Sequence, residues 1–485
     1  MAKPVTVVAA LVAGLALWVG GGEIVRRVGA RDLPMLPELA HASPLIASQL
    51  RQLDRAARVT PRSAEAVGAL AIAYHANLFA AEARQAYTSA ARRAPSDWRW
   101  PYYLALTAEE RGETAQVVEH LEAALGIEPH LPLAWFRLGE AEFKRGRFDE
   151  AGAALARVLA ITSGVPGDGS ARLEAASRRS PVSAYASTTL ARVALQKGDA
   201  ATARSILEHV VANEGRQWGP AFRLLADACR QTADVRAATR ALEAADRLPA
   251  YVPPPDPLVD RLGQVSRNSA FLLKYAAIAT RAHDPTAREF LTRRAFEFDP
   301  DNPAVIFEMG TLLQAMGRHE EALAQYQRHR TLMPGQPQTD VQIGRCLADL
   351  NRLQEAEATL RGPAARGDAT AEFNLGEVLD RQDRVEEARR HYERAIAINP
   401  FHARAFNNLG ILAARRGRLN DALALFEKAA VAAPGDADMQ NNLGAALVQS
   451  GRVEEARRAF ERAIAIDPGH QDARRNLAQV VNTRE

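Results

Sequence analysis

The sequence predicts an all-α solenoid of about eleven stacked helical hairpins in two blocks, behind an N-terminal apolar helix. Three observations carry that prediction. A 34-residue period runs through the C-terminal part of the chain. Small residues and prolines recur at fixed places within the period. Hydrophobic residues make up 47% of the chain but aromatic ones only 6%, so alanine and leucine supply most of the apolar surface. That composition suits helices packed side by side better than a sheet core.

The first element is Val5 to Gly22, an uncharged stretch with Lys3 before it and Glu23, Arg26 and Arg27 after it. Its length is close to the minimum for a bilayer span and long for the apolar core of a signal peptide. Residues 1–22 are therefore expected to be an uncleaved signal anchor. A cleaved signal peptide and a buried helix are the alternatives. Basic residues flank both ends, so orientation is weakly determined. The expected body is extracytoplasmic (periplasmic in a Gram-negative cell), with the cytoplasmic face of the membrane as the alternative. Residues 23–43 read as a proline-containing spacer, and 44–61 as a lone second helix ending at Pro61.

The repeat is clearest from 369 to 470. Asn441-Asn442-Leu443-Gly444, Ala456, Phe460, Ala463 and Pro468 recur 34 residues earlier as Asn407-Asn408-Leu409-Gly410, Ala422, Phe426, Ala429 and Pro434. A further 34 back stand Asn374-Leu375-Gly376, Ala388, Tyr392, Ala395 and Pro400. Gln440, Leu443, Gly444 and Leu447 fall on one helix face. Gly444 and Ala456 let two helices approach closely, Gly451 stops the first helix, and Pro468 closes the second. One hairpin cannot bury its apolar faces alone, whereas a stack of them shares a continuous core.

These residues resemble the tetratricopeptide repeat family. Extended along the chain, the register gives units 64–97, 98–131, 132–165, 184–217, 218–251, 269–302, 303–336, 337–368, 369–402, 403–436 and 437–470. An N-terminal block spans 44–251, with an irregular insertion at 164–183. A proline-rich linker, 252–268, leads to a C-terminal block at 269–470, and 471–485 reads as a capping helix. Unit 337–368 is short and carries Pro363, so its second helix is expected to be distorted.

The concave face of such a solenoid is lined by first helices. Helix position 6 there reads Gln342, Asn374, Asn408, Asn442 and Asn476, the last four separated by 34 each time. A carboxamide offers a donor and an acceptor together, matching a peptide backbone whatever its side chains are. The row resembles the asparagine ladder in the repeat region of O-linked GlcNAc transferase. That resemblance implies an extended polypeptide client held by Asn374, Asn408, Asn442 and Asn476, and implies no transferase activity. Asn407 and Asn441, one residue earlier, are candidates for the groove edge. A purely structural role for the asparagines is the competing reading. The family's two-carboxylate clamp is echoed only by Arg404, Arg475 and the asparagines. In the N-terminal block the equivalent face carries Tyr102, Tyr103, Phe136, Arg137, Phe222 and Arg223, with Trp98, Trp100 and Trp135 nearby. Such side chains favour contact surfaces, but they also favour core packing in helix pairs, which is the stronger expectation here.

Other classes are disfavoured. The 61 basic and 58 acidic residues leave a net charge of +3, without the basic excess of a nucleic-acid binder. Cys229 and Cys346 stand 117 residues apart (346 − 229), which disfavours an intramolecular disulfide. HExxH, P-loop and G-x-S-x-G patterns are missing, and the eleven histidines are dispersed. Glu320-Glu321, Glu386-Glu387 and Glu454-Glu455 recur at the start of second helices, where negative charge suits the helix dipole. The expectation is a non-enzymatic, cofactor-free scaffold with protein or peptide clients, tethered to a membrane and serving envelope or secretion complexes. No nucleic acid or small-molecule substrate is expected. The alternative is a regulatory or assembly subunit of a separate enzyme, in polysaccharide export or cofactor maturation.

Overall fold

The computed structural model describes residues 32–163, 181–213, 219–245 and 253–482. The expected anchor at 1–22 and most of the 164–183 insertion lie outside them. Among the described residues there are 25 helices and no strand, and no helix is long and apolar enough to cross a membrane.

The described residues divide into two compact units, those up to 242 with 253–298, and those from 299 with 243–245. The first holds the lone helix Pro44–Val59 and then the hairpins Ala64–Ala76/Ala80–Arg93, Arg99–Glu110/Thr114–Ile127 and Pro132–Lys144/Phe148–Ser163. Pro181–Gln196/Ala200–Asn213 and Gly219–Gln231/Val235–Ala245 follow, and Ser269–Arg281/Pro285–Phe298 closes the unit. The second holds Pro303–Ala315/His319–Leu332, Pro337–Asp349/Leu353–Ala365, Ala369–Arg381/Val385–Ile398, Ala403–Arg415/Leu419–Ala432 and Ala437–Gln449/Val453–Ile466, followed by Gln471–Asn482. Unit 269–302, placed in the C-terminal block from sequence, thus groups with the N-terminal repeats through Phe298.

Every hairpin turns in the same way. A residue at positive φ sits in the turn between its two helices: Gly at 112, 146, 198, 317, 417 and 451, and Leu78, Ala233, His283, Asn351 and Asp383 elsewhere. This left-handed residue ends the first helix and turns the chain back. In six of the hairpins the helices then meet at a glycine eighth in the unit, at 139, 310, 344, 376, 410 and 444. A Cβ on Gly376 would lie 2.6 Å from Tyr392 Cε1, and one on Gly444 2.5 Å from Phe460 Cε1. The ring sixteen residues on therefore occupies the space the glycine leaves open, and Tyr392 and Phe460 are fully buried. Ala388, Ala422 and Ala456 are as deeply buried and bring the second helix into contact.

Two segments depart from the regular pattern. Leu353–Ala365 continues helical through Pro363 and ends two residues later at 13 residues, one fewer than its neighbours. Proline lacks the donor for the bond from position 363 to residue 359. The proline-rich 252–268 stretch, expected as a linker, contains the helix Pro257–Val265. Asp256 caps it, accepting from the Leu258 and Val259 amides, and Pro257 occupies the first turn, where its missing N–H is not needed. Leu262 is 1% exposed and belongs to the same apolar core as Leu70, Tyr74, Trp100 and Tyr103.

Candidate functional site

The position-6 row lies on the first helices of the second unit. Asn442 Nδ2 donates to Asn407 Oδ1 at 2.9 Å, and Asn476 Nδ2 donates to Asn441 Oδ1 at 2.9 Å. Each bond joins position 6 of one first helix to position 5 of the preceding one. Asn407 and Asn441 are buried accordingly, at 8% and 9% exposure, and serve as acceptors between repeats. The bond recurs only where residue 35 positions back offers an acceptor. Behind Asn408 stands Phe373, so the Asn408 amide turns to the Tyr392 hydroxyl at 3.2 Å. Behind Asn374 stands Thr339, whose hydroxyl is engaged with His329 Nδ1 at 2.8 Å. Asn374 is 4% exposed, and its Nδ2 is left buried without a hydrogen-bond partner.

Asn408, Asn442 and Asn476 are half-buried, and the bond just described uses one of each side chain's two N–H groups. Asn442 also lines a cleft of about 180 Å³ with Ile411, Arg415, Phe426 and Gln449. Gln342, the fifth member of the row, accepts from Arg345 Nη1 at 3.1 Å. Charges interleave with the amides on this face. Arg404 pairs with Glu377 at 2.9 Å and lies 4.5 Å over the Phe373 ring. Burial lifts the Glu377 carboxyl above its usual range, against the pull of Arg404. Arg415 reaches Asp380 at 3.4 Å. The face is therefore amphipathic, with amide groups set between ion pairs and apolar patches.

The face expected in the N-terminal block behaves differently. Trp100 and Tyr103 are buried at 1% exposure and stack with Tyr87, while Phe136 packs under Tyr185. Tyr102 and Arg137 instead hold Asp256. The phenol donates to Asp256 Oδ2 at 2.8 Å, and Arg137 Nη2 donates to the same oxygen at 2.9 Å. Burial drives the Tyr102 phenol well above its ordinary range, which keeps it a neutral donor. Sequence reasoning named Tyr102 and Arg137 but not their partner, which lies 119 residues and more downstream. An Asp-Pro step before Leu258, Val259, Leu262 and Val265 was the available signal for a capped, one-faced helix.

Among the described residues no group of three His, Cys, Asp or Glu could hold a metal ion. Cys229 and Cys346 are buried free thiols in different units. The recurring glutamates pair locally, as Arg384 with Glu387 at 2.7 Å and Arg452 with Glu455 at 2.6 Å.

Four stretches of the chain, 106–164, 184–209, 373–437 and 437–470, match family models described as tetratricopeptide repeat. The similarity to the tetratricopeptide repeat thus rests on these stretches. Solved structures give further likenesses. Yeast Tom70 is 15% identical over 87% of this chain and 95% of its own, with a TM-score of 0.38. A thermophilic tetratricopeptide protein of Thermus thermophilus is 22% identical over 37% of this chain and 100% of its own, at 0.33. The pilus biogenesis factor PilW is 20% identical over 44% and 98%, at 0.38. No curated protein sequence matches the chain.

Proposed function

We propose that this chain is a non-catalytic scaffold that holds an extended stretch of a partner polypeptide along the first helices of its C-terminal repeats. Tetratricopeptide repeats generally serve protein partners, and four stretches of the chain match them. The observation that carries the reading is the row of half-buried amides at Asn408, Asn442 and Asn476, spaced one repeat apart with hydrogen-bonding capacity to spare. Asn407 and Asn441 fix the orientation of the next amide in the row. Gln342 and the deeply set Asn374 extend the row toward the N-terminal end of the unit. A tether through residues 1–22, with the body outside the cytoplasm and clients from envelope or secretion complexes, completes the proposal. It is supported by the uncharged run Val5 to Gly22.

Panning the full chain against random 12-residue peptides yields the probe. Fluorescence anisotropy then compares wild type with Asn408→Ala and Asn442→Ala. Each lost hydrogen bond weakens binding by about 0.5–1.5 kcal/mol, or roughly 2- to 12-fold. Asn407→Ala separates orientation from contact, since it frees the Asn442 amide without removing it. Undiminished binding by a double variant that melts like wild type would defeat the proposal. Partition of the full chain, and of one lacking residues 1–22, between membrane and soluble fractions tests the tether.

A further inference from the structure

We propose that the first-helix face of the N-terminal repeats is a second peptide-binding site, and that residues 253–268 of the chain itself are its resident occupant. The segment lies across three successive first helices and the helix before them. Asp256 sits at 4% exposure, bound by Tyr102 of Arg99–Glu110 and Arg137 of Pro132–Lys144. The Leu258 carbonyl accepts from the Tyr103 hydroxyl at 3.4 Å, and the buried Leu262 joins the apolar core that also holds Leu70 and Trp100. Beyond the helix the chain runs extended over Ala64–Ala76. Ser266 Oγ donates to the Ala76 carbonyl at 2.7 Å, and the Arg267 amide donates to Asn77 Oδ1 at 3.0 Å. Gln49 Nε2 donates to the Val265 carbonyl at 3.0 Å, and Asn77 Nδ2 donates to Gln49 Oε1 at 3.1 Å.

Two linked carboxamides thus grip the last carbonyl of the short helix and an amide of the extended stretch after it, whatever the side chains. At the other end an arginine and a neutral phenol select a carboxylate. Between them an apolar floor accepts one face of a short helix. This grip defines the ligand class: a polypeptide with an acidic residue capping a helix of about nine residues, apolar on one face, then an extended tail. A partner segment of that class competes with the chain's own. Tethering gives the resident segment an effective concentration on the order of millimolar, so access is restricted until it is displaced. The inference stands apart from the C-terminal amide row.

The test uses a fluorescein-labelled peptide of residues 253–268 and the full chain. Leu262→Asp in the chain disfavours the resident segment and leaves the gripping residues untouched. Anisotropy should show this variant binding the peptide about tenfold or more tighter than wild type. The gain should vanish with an Asp256→Ala peptide, or when Arg137→Ala is added to the Leu262→Asp chain. Equal binding by wild type and variant, or binding by neither, overturns the proposal. So does loss of helical signal in Leu262→Asp, because the segment would then be a strut the repeats need. A milder release, Asp256→Asn in the full chain, reads the same competition with the fold intact. It should fall between wild type and Leu262→Asp, and no gain over wild type counts against the proposal.

Discussion

Gly444→Ala sets two known effects against each other at one atom. In an open helix, replacing glycine by alanine gains roughly 1 kcal/mol of helix propensity. At Gly444 the new methyl would meet Phe460 Cε1 at 2.5 Å, Cδ1 at 2.7 Å and Cζ at 2.9 Å. Real Cβ contacts do not come that close, and Phe460 is 1% exposed, so the ring has no free space to retreat into. Overpacking of this kind costs about 1–3 kcal/mol. The net expectation is a loss of about 1 kcal/mol. Gly126 supplies the control, because it lies within the helix Thr114–Ile127 with no atom within 4 Å of the added methyl. Gly126→Ala should therefore stabilise by about 0.5–1 kcal/mol. Urea unfolding followed by circular dichroism measures both, and hydrogen exchange over 437–482 locates the loss. In a Phe460→Ala background the Gly444→Ala penalty should disappear, a coupling read by the double-mutant cycle. If Gly444→Ala is as stabilising as Gly126→Ala, the ring is not wedged between the helices and the account of the hairpin is wrong.

Three further outcomes are expected. Asp32 accepts from both terminal nitrogens of the Arg93 guanidinium and from Ser89, and the Arg93 bond lowers its carboxyl from 3.8 to about 2. Its stabilisation is present above the unfolded value and lost as pH falls from about 4 toward 2. After allowance for partial solvent screening it amounts to about 1 kcal/mol. Acid titration of Asp32→Asn should lack that component. Ala233 holds φ at +59° where most repeats carry glycine, so Ala233→Gly should raise the unfolding free energy by about 1 kcal/mol, read in urea. Tyr392→Phe removes the hydroxyl that accepts from Asn408 and should cost about 1 kcal/mol in thermal or urea unfolding, with helical content unchanged.

The repeats were legible because their determinants are local. A position-8 glycine, an alanine twelve residues on and a left-handed turn between them all act within one 34-residue unit, so the sequence shows cause and effect together. The amide row was legible by the same spacing. The 35-residue offset that pairs Asn442 with Asn407 was not, because it depends on which residues face each other across neighbouring helices. Residues 252–268 were read through their prolines, which end helices in isolation. Pro257 instead starts one, and nothing within the segment says that Asp256 meets Arg137, 119 positions away. Core packing was the stronger reading for the N-terminal aromatic face and contact surface the weaker, and the side chains divide between them. Trp100 and Tyr103 are largely interior, while Tyr102 and Arg137 point at the incoming segment.

The bonds from Gln49, Asn77 and Leu45 to residues 265–267 span about 190 to 220 positions. Most repeat arrays assemble neighbour by neighbour, so their early hairpins are complete as soon as they leave the ribosome. Here the opening hairpins emerge with one wall bare, and it stays bare until some two hundred more residues have been synthesised. Closing so wide a loop slows the last step of maturation relative to the rest. During that interval a nascent chain displays, without competition, the surface that the finished protein keeps for itself.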